Sequence, residues 1–347
     1  MTRILHTSDF HLNALRKFRD LYLDRVRHTL SEISNVAIQE SVDYIVMAGD
    51  IYDRRDILHD ERNMFSEWLG SLNIPVIAIS GNHDKRTEDI GDTSLSYLSS
   101  IQTLHAIVHD GSPRVVEKED CTFILFPYEK WSDYEFYLLL EYLQSTCVES
   151  KPIVVVMHEA ISGCKADSGF EVPTHIRLDP SLRSDFPQID YWALGDMHTC
   201  QSIAPNIWYS GAPHQISFGE NPGKGVLIVD TDDPTNPKFV EIDSTPLVTV
   251  DDIAEDMVWD PEVIYRCRPD HAFYRDNMLP NNAFVSPRST VVHALKREHM
   301  VGLFHNLDET LLRIGLRKDL VPLALRLAKK SAKELHIAIG NENEDAE

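Results

Sequence analysis

The sequence has no excess of basic residues: 33 lysines and arginines stand against 55 aspartates and glutamates, a formal net charge of −22. Proteins that coat nucleic acid by bulk attraction carry a basic face, because neutralising backbone phosphates supplies most of their affinity. The composition therefore excludes a protein of that class. Any nucleic-acid substrate would have to be held by metal ions, by a local basic patch or by a partner subunit.

Cysteines are few. The chain has five, an odd number, and none of them forms a C-x-x-C pair. This usage argues against a disulfide framework and against a thiolate zinc site, and it is typical of a reducing compartment.

Long apolar runs are missing too: Ile153–Met157, among the longest, is far too short to cross a bilayer. The N-terminus meets a charge and two histidines before any apolar core of signal length. We therefore expect an intracellular, cytoplasmic protein without a membrane span.

Short apolar runs recur through the first two hundred residues, each with the length and the β-branched or aromatic content of a buried strand. Stretches with helical spacing, from Leu21 to Ala37 and from Met64 to Leu69, separate the first three runs. This alternation of strand and helix predicts an α/β layered domain. The five runs are Ile4–Thr7, Tyr44–Ala48, Pro75–Ser80, Ile153–Met157 and Tyr191–Leu194.

The composition changes near Thr245, after a proline-rich stretch at Asp232–Pro237. We expect a first domain over residues 1–244 and a small appended α+β domain over 245–302. Residues 303–340 carry apolar stripes that predict two helices, which either pack on the chain's own core or contact a partner as helices in a groove. The acidic tail, 341–347, is predicted to be disordered.

Side chains with metal-binding chemistry follow each of the five apolar runs. In open α/β sheets ligands collect outside the carboxyl ends of the strands, so five strands would deliver these side chains to one rim. Taken singly, such residues are as readily helix caps or turn residues. Their joint recurrence in order favours a single site. The residues are Asp9, His11, Asp50, Asn82, His83, Asp84, His158, Asp196 and His198.

No thiolate belongs to this set. Imidazoles and carboxylates without sulfur suit Mn, Fe, Zn or Mg, and Mn and Fe are favoured when nitrogen and oxygen ligands are balanced. Seven of these nine residues, all except His83 and Asp84, are candidate ligands, which is too many for one ion but suits two ions that share a bridging carboxylate. Two ions roughly 3.5–4 Å apart can clamp a phosphodiester, activate a water and stabilise the leaving oxygen.

The motifs D-F-H, G-D-I-Y-D, G-N-H-D, a later histidine after an apolar strand, and G-D-M-H resemble the signature of the calcineurin-like metallophosphoesterases. Within that superfamily the chain resembles the SbcD-type nuclease subunits of bacteria and phages, the partners of an SMC-like ATPase. The segment Tyr209–Glu220 is similar to the one that follows the last metal ligand in those proteins. The resemblance covers about residues 1–230 and is weak beyond 245. It implies a layered β-sandwich flanked by helices, with a small capping domain and C-terminal, ATPase-binding helices.

The resemblance also implies a role for each candidate. His83 would face the substrate and stabilise or protonate the phosphate oxygens, and Asp84 would orient it as a hydrogen-bond acceptor. Asp50 would bridge two divalent ions, Mn²⁺ being favoured and Mg²⁺ the alternative. The other ligands would divide between the ions, with Asp9, His11 and His198 on one and Asn82, His158 and Asp196 on the other.

One ligand departs from the family pattern, because Asp196 stands where the usual motif has a histidine. The substitution adds a negative charge and predicts a preference for harder ions such as Mn²⁺ or Mg²⁺. The sequence leaves the role of His214 undecided. This residue lies in the segment after the last ligand and either approaches DNA or serves in a turn.

The implied activity is a two-metal DNA nuclease, an exonuclease or endonuclease that processes duplex ends or hairpins in recombination and double-strand-break repair. Its implied partners are DNA, the SMC-like ATPase and a second copy of the chain. A metallophosphatase or phosphodiesterase acting on nucleotides or phosphoproteins is the alternative, since the ligands cannot separate the two. A catalytically silent scaffold is a third reading, although a silent relative would be expected to lose several ligands.

Overall fold

The computed structural model describes residues 2–18, 20–85, 93–100, 106–109, 111–148, 150–167, 169–172, 181–251, 257–268 and 279–285. Two six-stranded mixed sheets make up most of this part of the chain. The first contains β1 (Arg3–Thr7), β2 (Tyr44–Ala48), β3 (Val76–Ile79), β4 (Ala106–His109), β11 (Gly225–Asp230) and β12 (Asp233–Glu241). The second contains β5 (Arg114–Glu117), β6 (Thr122–Phe126), β7 (Ile153–His158), β8 (Tyr191–Gly195), β9 (Gln201–Ala204) and β10 (Ile207–Tyr209).

Both sheets have a parallel centre. In the first, the order is β12-β11-β1-β2-β3-β4, and β1 to β4 run parallel. In the second, the order is β5-β6-β7-β8-β10-β9, with β6, β7, β8 and β10 parallel. Parallel strands of this kind are buried on both faces, which explains why they are continuous apolar runs in the sequence and not alternating ones.

The two faces of β2 show how the layers stack. Tyr44, Val46 and Ala48 belong to the apolar cluster shared with the second sheet, whereas Ile45 and Met47 belong to the cluster that also contains helix side chains. Helices α1 (Asp20–Gln39) and α2 (His59–Ser71) cover the first sheet, and α3 (Asp133–Ser145) and α4 (Leu182–Asp185) cover the second. Two 3-10 turns, Arg16–Phe18 and Ser96–Ser100, complete the helical elements of the described residues. The predicted β-sandwich flanked by helices is confirmed.

Strand β12 is a point where the sequence pattern misleads. Prolines at 234 and 237 made Asp232–Pro237 look like a break, yet Asp233–Glu241 pairs antiparallel with β11. Proline cannot donate to a strand ladder and is tolerated on an edge strand, and β12 lies at the edge of its sheet.

Beyond residue 245 the structure adds a parallel three-stranded sheet of β13 (Leu247–Val250), β14 (Ile264–Cys267) and β15 (Ala283–Val285). Leu247 and Ile264 are buried in the same apolar cluster as residues of α1. The predicted boundary after residue 244 and the 245–302 domain stay predictions. The predicted helical segment 303–340 and tail 341–347 lie outside the described residues. Among the helices that are described, none has the length and apolarity of a membrane span.

Candidate metal centre

The ends of strands from both sheets meet around Asp50. Its carboxylate oxygen Oδ2 lies 3.5 Å from His11 Nε2, at the end of β1, and 3.4 Å from His158 Nε2, at the end of β7. Its other oxygen accepts the backbone N–H of His83 at 2.9 Å. Asp50 is only 2% exposed. This central, buried position between two imidazoles is what a bridging carboxylate requires.

The remaining predicted ligands lie around this carboxylate. Asp9, His11 and His198 place one ligand atom each within 4.8 Å of one another, and Asp9, Asp50 and His158 do the same. On the second side, Asn82 Oδ1 lies 2.9 Å from His158 Nε2, and Asp196 Oδ1 lies 3.9 Å from the same nitrogen. The structure thus brings together all seven side chains that the sequence proposes as ligands.

The ligands sit on an unusual backbone. The described part of the chain has five non-glycine residues with positive φ, and four of them are proposed ligands: Asp9 (55°), His11 (45°), Asp50 (51°) and Asp196 (94°). Such conformations cost on the order of 1–3 kcal/mol each and persist where the surrounding structure forces them, often at functional sites. Here the N–H groups of Asp9 and His11 donate to the carbonyls of Gly49 and Asp50, both at 3.0 Å, which holds the two turns together.

His11 offers the clearest sign that an ion fits. Both of its ring nitrogens are buried, and neither makes a well-formed hydrogen bond within the described residues: they face carboxylate oxygens, with Asp53 Oδ1 3.3 Å from Nδ1 and Asp50 Oδ2 3.5 Å from Nε2. An unsatisfied buried polar group costs about 1–3 kcal/mol, and coordination by one of these nitrogens would remove part of that cost. A set of imidazole nitrogens with carboxylate and amide oxygens is also the chemistry that binds divalent first-row metals.

His158 is already oriented for the same purpose. Its Nδ1 lies 2.7 Å from the carbonyl oxygen of Ala48, so Nδ1–H donates there, and Nε2 is directed towards the oxygens of Asp50 and Asn82. Metal-binding histidines commonly have their other ring nitrogen fixed in this way.

Electrostatics around the cluster are strongly coupled. Burial lowers the pKa of His158, but the charge of Asp50 more than offsets this effect, and the pKa ends well above 6.5. Conversely, burial raises the pKa of Asp50, and the neighbouring His158 and His11 reverse the shift to below its ordinary value. The pKa of Asp196 is raised, by burial first and then by the charges of Asp9 and Asp50, although His158 opposes the shift. Clustered carboxylates of this kind favour the binding of a cation.

His83 lies beside the seven proposed ligands, and its ligand atom lies within 4.8 Å of those of His11 and Asp53. Its ring centroid is 4.7 Å from that of His11, and its side chain is 42% exposed. The Nδ1 atom lies 3.0 Å from the backbone oxygen of Asp53 and 3.6 Å from its carboxylate Oδ1. Asp53 therefore occupies the position beside His83 that the family resemblance implied for Asp84.

The prediction that Asp84 orients His83 is wrong. Asp84 is fully buried, and its carboxylate accepts the N–H groups of Ile51, Tyr52 and Gly81 at 3.0–3.1 Å and the Ser94 hydroxyl at 2.7 Å. These bonds tie the loop that carries Asp50 to the loop that carries His83. Asp84 thus fixes the relative positions of the two loops without facing the substrate side of the site.

Asp53 was missed although a signal was present, because it is the last residue of the G-D-I-Y-D motif. Its Oδ1 also lies 3.3 Å from His11 Nδ1, so one carboxylate faces both histidines. The contact with His11 lowers the pKa of Asp53 although burial opposes the shift. His214, by contrast, is buried inside the protein: it is 2% exposed and its Nε2 lies 2.6 Å from the Phe10 carbonyl.

A cavity of about 830 Å³ opens next to these residues. Its lining combines His83 and Asn82 with two consecutive arginines, Arg54 and Arg55. The remaining lining residues are Asp53, Asp56, Thr93 and Ser94. Two arginines therefore stand beside the proposed ligands, in a lining that also carries two carboxylates, one of which, Asp53, has its Oδ2 3.5 Å from Arg54 Nε.

Residues 2–200 match the family described as calcineurin-like phosphoesterase. The chain is 29% identical over 249 residues to the D component of the nuclease SbcCD of Staphylococcus epidermidis, and the match covers 66% of this chain and 66% of that protein. The predicted resemblance to SbcD-type proteins is thereby confirmed.

Two solved structures are similar at low identity. Purple acid phosphatase PPD1 from yellow lupin (Lupinus luteus) matches with a TM-score of 0.44 and 11% identity, over 69% of this chain and 52% of that one. TT1561 of Thermus thermophilus matches with a TM-score of 0.41 and 11% identity, over 69% of this chain and 98% of that one.

The family match covers more than half of this chain and includes every candidate ligand. The chain belongs to the calcineurin-like phosphoesterases, a family of metal-dependent hydrolases that use divalent ions.

Proposed function

We propose that the chain is a two-metal DNA nuclease, the catalytic component of a complex with an SMC-like ATPase that processes DNA ends in recombination and double-strand-break repair. The observation that carries the proposal is the position of Asp50, whose Oδ2 lies within 3.5 Å of histidines from both sides of the cluster. The similarity to a known nuclease component guides the choice of substrate.

The ligands divide between two ions. Asp50 would bridge them, and we favour Mn²⁺, with Mg²⁺ as the alternative, because nitrogen and oxygen donors are mixed and three carboxylates contribute. When bound, the ions supply positive charge that polarises a phosphoryl group and stabilises the leaving oxygen. Asp9, His11 and His198 would hold one ion, and Asn82, His158 and Asp196 would hold the other.

His83 is the residue of this chain best placed to act on the substrate. Its Nδ1–H donates to the Asp53 backbone oxygen at 3.0 Å, which leaves Nε2 as the atom free to meet a phosphate oxygen. The Asp53 carboxylate, 3.6 Å from Nδ1, stabilises positive charge on the ring. With both ring nitrogens protonated, His83 would donate a hydrogen bond or a proton from Nε2 to the phosphate as negative charge develops.

The cavity beside His83 supplies a place for the DNA backbone. Arg54 and Arg55 line it, and guanidinium groups recognise phosphate oxygens in pairs. With a net charge of −22 over the whole chain, duplex DNA would be attracted only locally, so an ATPase partner and a second copy of the chain would contribute to its binding. Duplex ends and hairpins are the substrates we propose.

An end-labelled linear duplex in Mn²⁺ tests the proposal, with wild type compared with Asp50→Asn and His83→Gln. We expect cleavage by wild type and a loss of at least about 100-fold in both variants, since general acid–base contributions are commonly 10²–10⁴-fold. Asp190→Asn is the matched control: this carboxylate accepts the Ile153 N–H at 2.8 Å, at the opposite end of β7 from His158.

A chromogenic phosphomonoester assayed in parallel separates the alternatives. Cleavage of the monoester without cleavage of DNA would show that the protein is a phosphatase and would refute the proposed nuclease activity. If the purified protein retains no divalent ion in Mn²⁺ and cleaves neither substrate, the result favours the third reading, a catalytically silent scaffold.

A further inference from the structure

His214 is a buried histidine that the proposed chemistry does not use. It follows β10 by five residues and is packed inside the protein against α1 and the turn after β1. Its Nε2 lies 2.6 Å from the carbonyl oxygen of Phe10, and its Nδ1 lies 3.0 Å from Nη1 of Arg25. Both ring nitrogens are therefore engaged, one with each neighbour.

The partners fix which nitrogen carries the proton. A guanidinium can only donate, so Arg25 must donate to Nδ1, and Nε2–H must donate to the Phe10 carbonyl. Arg25 is itself held by the carbonyl of Thr245, which accepts from its Nε at 2.9 Å, and by the carbonyl of Gln215. Burial, reinforced by the charge of Arg25, keeps the pKa of His214 well below its ordinary value, so the ring is neutral.

Phe10 stands between two proposed ligands of the same ion. Asp9 and His11 flank it, and both have left-handed φ angles, 55° and 45°. Their N–H groups donate to Gly49 and Asp50 on one side of the turn. On the other side, the carbonyl of Phe10 accepts a hydrogen bond from His214. Without His214, the hydrogen bond to the Phe10 carbonyl would be lost, while the bonds from the Asp9 and His11 N–H groups would remain.

We propose that His214 is a positioning residue for the ion held by Asp9, His11 and His198, acting through the hydrogen bond from its Nε2 to the Phe10 carbonyl. The inference rests on the proposed two-metal site. His214 touches neither ion nor substrate. It fixes the backbone from which two ligands project, and its loss should weaken one ion while leaving the other, held by Asn82, His158 and Asp196, largely unaffected.

Two polar substitutions at residue 214 distinguish the loss of the hydrogen bond to Phe10 from a general change in packing. In His214→Gln the amide nitrogen can reach the position of Nε2 and donate to Phe10. In His214→Asn the side chain can still accept from Arg25 but is too short to reach that carbonyl. Trp68→Phe is the control, because it removes another buried ring N–H, one that donates to the Leu30 carbonyl on α1 at 2.9 Å.

The measurement is a calorimetric titration of the metal-free, full-length protein with Mn²⁺, with folding checked by circular dichroism. Loss of groups that orient metal ligands commonly weakens affinity 10–100-fold, so we expect at least about 10-fold weaker binding of one of two ions in His214→Asn. His214→Gln and Trp68→Phe should bind both ions as wild type does. Equal binding by the Asn and Gln variants, or a uniform weakening of both ions in every variant, would overturn the inference.

A second measurement needs no substitution. Long-range ¹H–¹⁵N correlation of the wild-type protein reports which nitrogen of His214 carries the proton, and we expect Nε2. Protonation at Nδ1 would show that the bond to Phe10 does not exist and would end the proposal. A wild type that binds two ions while His214→Asn binds them equally well refutes only the role of His214. A wild type that binds no Mn²⁺ refutes the two-metal site, and this inference with it.

Discussion

Asp50→Asn should abolish the stabilisation that metal ions give to the folded protein. The asparagine keeps the shape of the side chain, and its carbonyl oxygen can still accept the His83 N–H that Asp50 accepts at 2.9 Å. What it loses is the negative charge that faces His11 on one side and His158 on the other, at 3.5 and 3.4 Å. Loss of a shared ligand is the single change that should remove both ions at once.

The size of the effect follows from linkage. An ion present at 100 times its dissociation constant stabilises the folded state by about 2.7 kcal/mol, so two ions contribute roughly 5 kcal/mol. At about 2–4 °C per kcal/mol for domains of 150–250 residues, wild type should unfold on the order of 10 °C higher in Mn²⁺ than in chelator. Asp50→Asn should show almost none of this shift, whereas Asn82→Ala, which removes a ligand of one ion, should keep about half.

The assay is thermal unfolding of each variant with and without Mn²⁺. Because the shift is taken within each variant, any destabilisation of the metal-free form by the substitution cancels. Asp190→Asn, far from the ligands, should shift as wild type does. A full shift in Asp50→Asn would refute the bridging position, and so would a complete loss of the shift in Asn82→Ala.

Three further outcomes follow from the same contacts. Asp53→Asn should lower the rate of DNA cleavage by about 10–100-fold, as measured in single-turnover assays, because it removes charge next to His83 and His11 while the backbone bond to His83 remains. Asp196→His should move the metal preference towards softer ions such as Zn²⁺, as measured by activity across a metal series; an unchanged series would count against the charge argument. In the metal-free protein, the raised pKa of His158 adds stability that is complete below pH 6.5 and is lost as the pH rises through the folded-state value. Urea unfolding in chelator, measured at a series of pH values from about 6 upwards, should show this loss, and His158→Gln should remove it.

Much of the site could be predicted because the ligands follow strands that are buried on both faces. Such strands are continuous apolar runs, and the residue that ends each run is visible in the sequence. The sequence could not tell whether Asp53 or Asp84 lies beside His83. Both belong to recognisable motifs, and Asp84 even adjoins His83, but the direction of each side chain depends on turns whose N–H groups draw Asp84 inwards. His214 lay beyond prediction for a similar reason, since its partners Arg25 and Phe10 are about two hundred residues away.

The glycines that precede the ligands have a structural cause that also explains why the two sheets share one site. A Cβ on Gly195 would lie 1.9 Å from the carbonyl oxygen of Ala48, and a Cβ on Gly49 would lie 2.3 Å from Nδ1 of His158. That nitrogen and that carbonyl form the hydrogen bond which joins β7 of the second sheet to β2 of the first. Any side chain at either glycine would push the sheets apart and break this bond, since interiors are close-packed and cannot absorb such overlaps. The pairing of glycine with aspartate in both G-D motifs therefore reflects one requirement. The sheets must touch at the residue before the ligand, because the metal centre takes its proposed ligands from both sheets.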